Sequence, residues 1–220
     1  MDRRYVSLES AEVEVEDKTI IDPAALGHGQ RSSGGDIKFT GYAARFYDGT
    51  PDTEFTLFEH RDHNGQVKRV VERIMPTAFD RMMKDGDDVR LMFNHDPNLI
   101  LARRSSGTLT LTVFPNKGLR YIGVAGDTSV ARDVREHIKR GDVSGSSFSF
   151  TSTRDDEEWT IEENTDVRNI HNFRQVFDVG PVTFPAYSGT SAGMRFKSEI
   201  NCKKPDSVML SIITARSTIE

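Results

Sequence analysis

The stretch that most constrains this chain is residues 141–150, Gly141-Asp142-Val143-Ser144-Gly145-Ser146-Ser147-Phe148-Ser149-Phe150. From Ser147 onward the residues alternate. A strand here turns Phe148 and Phe150 to one face and Ser147, Ser149 and Thr151 to the other. Before it, Lys139-Arg140-Gly141 reads as a helix stop, with basic residues in the last turn and glycine just after. A helix ends, small residues make a turn, and a strand begins with hydroxyls along one side. A serine in such a place is either strand filler or a nucleophile.

The rest of the chain is built from similar short pieces. Residues 37–46 read as a long strand, with Gly41 marking a bend or bulge. Residues 55–58 form a short strand, Asn64-Gly65 signals a hairpin, and 67–74 return. Pro76 opens a short helix that Gly86 ends. Residues 87–93 and 99–102 are extended, and Thr108-Leu109-Thr110-Leu111-Thr112-Val113 alternates strictly before turning back through 119–124. Asp127 or Thr128 caps a helix to Lys139, with Val130, Val134 and Ile138 as its apolar stripe. Residues 154–158 read as a solvated loop, 159–161 as a strand, and 167–179 as mostly extended. Many short strands and two modest helices, without a strand–helix rhythm, imply a mainly β (α+β) fold. The natural class is an antiparallel barrel with flanking helices.

A 220-residue chain with 13 phenylalanines can bury a real core, although only 36% of its residues are hydrophobic. We therefore expect a folded centre with polar ends: a flexible N-terminal arm over 1–35, a domain over 36–194, and a C-terminal tail over 195–220. A net charge of −5 offers no basic footprint for nucleic acid. The single cysteine, Cys202, fits a reducing compartment. No apolar run is long enough to span a bilayer, and the first residues lack the core of a signal peptide. The expected setting is cytoplasm, without membrane association.

Three residues carry the chemical interest. His95 follows a strand in Asn94-His95-Asp96-Pro97, where an imidazole can exchange protons or can simply hydrogen-bond a turn. Ser147 shares its strand face with Ser149, while Ser144 and Ser146 leave the choice of nucleophile open. Asp178 is a carboxylate inside an apolar strand; it must pair with an arginine or orient an imidazole, because a buried unpaired charge is costly. His60 and His63 beside Glu59 and Asp62 form a weaker candidate metal cluster. No cofactor is implied, and no Walker-type phosphate loop is present.

With these residues assembled, the chain resembles the prohead maturation proteases of tailed bacteriophages with the HK97-type capsid. The resemblance spans about residues 41–191. It rests on Ile74-Met75-Pro76-Thr77-Ala78-Phe79, on Phe93-Asn94-His95-Asp96-Pro97, on the 141–150 stretch, and on Val182-Thr183-Phe184-Pro185-Ala186-Tyr187. It implies a serine endopeptidase with a closed barrel similar to the herpesvirus assemblins. The family's histidine falls on His95, its nucleophile on Ser147, and its acidic third member on Asp178, where many relatives have glutamate. Ser149 stands where glycine is usual. The implied substrate is the scaffolding segment of the major capsid protein precursor, cut inside the assembling prohead in the host cytoplasm, with self-trimming of the tail. A homo-oligomer is compatible with this reading. Arg103 and Arg104, near His95 in sequence, have no role assigned. The competing readings are a non-catalytic scaffold component on the same barrel and a metal-dependent hydrolase using His60 and His63.

Overall fold

The computed structural model describes residues 36–184, together with the backbone of two strands nearer the N-terminus, 2–6 and 13–17. The strands are β1 (Asp2–Val6), β2 (Val13–Asp17), β3 (Ile37–Arg45), β4 (Glu54–Arg61), β5 (Val67–Ile74), β6 (Arg90–Met92), β7 (Ile100–Arg103), β8 (Leu109–Phe114), β9 (Gly118–Ala125), β10 (Gly145–Thr151), β11 (Glu157–Glu162), β12 (Thr165–Ile170) and β13 (Gln175–Val182). The helices are α1 (Asp80–Asp85) and α2 (Ser129–Lys139). The fold is mostly β with few helices, as the strand-rich pattern implies.

The strands pair as three sheets, in the orders β1-β10-β13-β6-β7, β11-β12-β5-β4 and β2-β3-β9-β8. Among the described residues these pairings do not close into the single ring expected of a barrel. The rims explain part of this. β4 ends in Glu59, His60 and Arg61, and β11 carries Glu157, Glu158 and Glu162, charged edges that discourage further pairing. The pairing is also not wholly antiparallel: β5 with β12 and β6 with β13 run parallel.

Local chemistry accounts for most elements. In β8, Leu109 and Leu111 are buried while Thr110 and Thr112 are exposed, and β9 pairs with it in register through Leu111–Tyr121. The β4–β5 turn is held by the Asp62 carboxylate, which accepts from the backbone N–H groups of Asn64 and Gln66, both at 2.9 Å. Thr128 caps α2 by accepting from the Ala131 N–H at 3.1 Å, and Val134 is buried with Val130 and Ile138 packed beside it.

Four further expectations change. Two strands, β1 and β2, lie within the stretch read as an arm: β1 pairs with β10 and β2 with β3. The bulge of β3 falls between Tyr42 and Ala44, whereas Gly41 sits in the ladder opposite Tyr121. α1 begins at Asp80, later than Pro76, because Thr77 and Ala78 are drawn into tertiary bonds. The Thr77 hydroxyl donates to the His171 carbonyl at 2.9 Å, and the Phe173 N–H donates to the Ala78 carbonyl at 2.9 Å. Residues 154–158 are not wholly solvated, since Asp156 is buried; it accepts from the Thr153 N–H at 3.0 Å and from Arg81 at 3.1 Å. The expected domain end at 194 and the tail over 195–220 lie outside the described residues.

The core is a phenylalanine cluster. Phe150 and Phe173 have ring centroids 4.3 Å apart, Phe79 and Phe173 4.9 Å, and Phe148 and Phe150 stack at 5.2 Å, within the range of favourable aromatic pairs. β10 supplies two of these rings from one face. That anchors the strand and leaves its other face to the serines.

Candidate active site

Three neighbouring strands assemble the site. β13 lies between β10 and β6. Its register sets Ser149 opposite Asp178 and Ser147 opposite Gly180 on one side, and Arg90 opposite Asp178 on the other. The chain leaves β6 through Phe93 into a turn that carries His95.

That turn has unusual backbone. Asn94 and His95 are successive residues in the left-handed region, at φ 54° and 58°, where asparagine and histidine are tolerated better than most residues. A clamp holds it there. The Asn94 N–H donates to the Pro181 carbonyl at 3.0 Å. Its side-chain amide donates to the Thr183 hydroxyl at 3.0 Å and accepts from the Thr183 N–H at 2.8 Å. On the far side, Asp96 accepts from the Asn98 N–H at 2.8 Å. The turn is thus tied to the end of β13, the strand that carries Asp178.

The imidazole of His95 then reaches both partners. Nε2 lies 2.6 Å from the Ser147 hydroxyl oxygen, and Nδ1 hydrogen-bonds an Asp178 carboxylate oxygen. An Nδ1–H that donates to the carboxylate leaves Nε2 free to accept from the serine hydroxyl. The other Asp178 oxygen accepts from the Ser149 hydroxyl. All four side chains are buried, His95 at 5% exposure and Asp178 at 1%. A turn histidine and a serine on a polar strand face are ordinarily open to solvent, and here neither is. The carboxylate tolerates burial because both its oxygens have donors.

The other serines separate by geometry. Ser146 faces the core, where its hydroxyl is 2.7 Å from the Tyr121 hydroxyl. Burial pushes the Tyr121 phenol well above its ordinary range, with the Ser146 bond opposing. Ser144 lies in the turn before β10.

The remaining candidates are engaged elsewhere. Arg103 binds Asp88, with one bond of 2.9 Å, and holds that carboxyl well below the usual range. Arg104 donates to the carbonyls of Met82 and Asp87, each at 3.2 Å. His60 faces Asp166 at 3.8 Å, and among the described residues no three His, Cys, Asp or Glu side chains gather as a metal site. His137 and His171 sit on the surface near Asp142 and Glu158. Also among the described residues, no helix is long and apolar enough to cross a membrane.

Two contributions to the site were not assigned from the sequence: the bond from Ser149 to Asp178 and the clamp on the His95 turn. Ser149 shares the Ser147 face, a signal that the two-residue spacing already carried. The Asn94–Thr183 clamp joins residues 89 apart in the chain, and no local pattern announces it.

Comparison with known proteins gives a family and a structural likeness. Residues 29–205 match the family model described as caudovirus prohead serine protease. The solved structure of the bacteriophage T4 capsid assembly protease is similar at 12% sequence identity, covering 80% of this chain and 99% of that one with a TM-score of 0.40. None of the curated proteins compared with the chain matches it. The family match spans well over half of the sequence, and the chain belongs to the caudovirus prohead serine proteases.

Proposed function

We propose that this chain is a serine endopeptidase that cuts the scaffolding segment of its capsid protein precursor, and its own tail, inside the assembling prohead. The observation that carries the reading is the 2.6 Å contact between Ser147 Oγ and His95 Nε2, with Asp178 on the opposite ring nitrogen. Ser147 Oγ bonds to the scissile carbonyl carbon while its proton passes to Nε2. The carbon–nitrogen bond then breaks as Nε2 delivers that proton to the leaving amine, and water repeats the cycle on the acyl-enzyme. Asp178 holds the ring in the tautomer that this requires and steadies the imidazolium. The family membership supports a capsid-maturation role, and enclosure within a shell supplies a high local substrate concentration.

The experiment is incubation of the full chain with its capsid precursor, followed by intact-mass measurement. Ser147→Ala should lower processing by at least about 10³-fold, and adding His95→Ala should cost little more. Equal processing by Ser147→Ala and the unaltered chain would remove the proposal. Ser144→Ala is the matched control, and should process normally.

A further inference from the structure

The Ser149 hydroxyl is buried at 0% exposure on the face of β10 that also presents Ser147. Its hydrogen bond goes to the Asp178 oxygen that His95 does not use. The two residues are direct partners across β10 and β13, so the contact is set by sheet register rather than by a free rotamer. A carboxylate held at one oxygen only can swing about its terminal torsion, which is broad and roughly two-fold. Held at both oxygens, its plane is fixed, and with it the direction of the imidazole.

The other charged neighbour is occupied. Arg90, opposite Asp178 on β6, points its guanidinium to Asp88 at 3.1 Å. Among the described residues, the hydrogen bonds that orient the Asp178 carboxylate come from His95 and Ser149. Packing holds Ser149 itself, because its neighbours Phe148 and Phe150 are locked in the aromatic cluster on the opposite face.

We infer that Ser149 is a positioning residue for Asp178, fixing through it the tautomer and aim of the His95 imidazole. The inference rests on the protease reading above for its purpose. Its physical content, the tautomer, can be measured without any cleavage.

The test uses the full chain labelled with 15N in its histidine rings, of which there are six; loss of one signal set in His95→Gln assigns His95. In the unaltered chain the neutral form of the His95 ring should carry its proton on Nδ1. In Ser149→Ala the nitrogen shifts should move to a mixture of the two tautomers, and Ser149→Thr, which keeps the hydroxyl, should restore the Nδ1–H form. Where processing is measured, Ser149→Ala should lower kcat about tenfold with KM unchanged, the scale of one hydrogen bond to a charged group. A folded Ser149→Ala whose His95 remains wholly Nδ1–H overturns the inference. Should that variant not fold, Ser149→Cys replaces it, with a weaker donor of similar size: a partial shift supports the inference and an unmoved tautomer ends it. Normal processing by Ser147→Ala would sink the protease reading alone, since the tautomer result stands apart from it.

Discussion

Ser147 and Gly180 stand opposite each other across β10 and β13, and the residue facing the serine has no side chain because none fits. Gly180 has φ 154°, and a Cβ on it would lie 2.0 Å from the Met92 carbonyl oxygen. Met92 ends β6, three residues before His95. A methyl group at 180 would thus wedge apart the strands that hold the acid and the imidazole. We expect Gly180→Ala to cost at least about 2 kcal/mol of stability through strain and displaced backbone. Urea denaturation would measure it, and a midpoint equal to that of the unaltered chain would contradict the close packing described.

Ser146→Ala, the obvious companion to the nucleophile test, has a structural consequence of its own. It leaves the buried Tyr121 hydroxyl without the partner it has at 2.7 Å. The expected loss is about 1–3 kcal/mol, whereas Ser146→Ala with Tyr121→Phe removes both polar groups and should recover much of it. A double-mutant cycle by denaturation gives the coupling. Independent, additive losses would show that the pair contributes nothing as a pair.

Asn94 is expected to matter twice, for the backbone and for the clamp. Asn94→Gly accepts the left-handed geometry but loses both amide bonds to Thr183, so it should cost about 1 kcal/mol or more. Asn94→Ala adds backbone strain to the same loss and should be the worse of the two. The ordering of their denaturation midpoints checks this. If alanine is the milder change, the left-handed turn is not what asparagine serves.

The sheet formed by β11, β12, β5 and β4 predicts an acid limit to stability. Burial raises the Glu157 pKa, but hydrogen bonds from Arg168 and Ser152 outweigh it and leave the carboxyl below its ordinary range. Arg168 also binds buried Glu72 at 2.7 Å. A carboxylate depressed in the folded state gives stability that is complete above its unfolded pKa of about 4.3 and is lost as pH falls through the folded value. The denaturation midpoint should therefore hold from neutrality to about pH 5 and fall below about pH 4. Arg168→Met, which strands two acids, should cost about 3–5 kcal/mol at pH 7 and flatten that fall.

How far the chain can be read without its structure depends on the range of the pattern. Thr128 as a cap, the 108–124 hairpin and the two faces of β10 are each written in one short continuous stretch, and each forms. Asp178 stood out because a carboxylate in an apolar strand needs a partner, and His95 is that partner. The β13 bulge hid the reason for its setting. Val176 pairs with Phe150 while Asp178 pairs with Ser149, so Val176 and Val179 both reach the core despite a spacing that plain alternation forbids. β1 was missed for a related reason: five polar-rich residues carry no periodic signal, and only the long-range partner β10 makes them a strand. Burial of the imidazole was equally invisible, because it depends on three strands meeting.

The placement of β1 bears on how a polypeptide could be received. With β13 along one flank and Asp2–Val6 along the other, β10 has no open rim to which a visiting chain could be stitched by main-chain bonding. Unless the leading residues peel away, main-chain pairing with β10 itself is closed to a visitor, and a row could be added to this sheet only at its terminal strands, one step or more from Ser147.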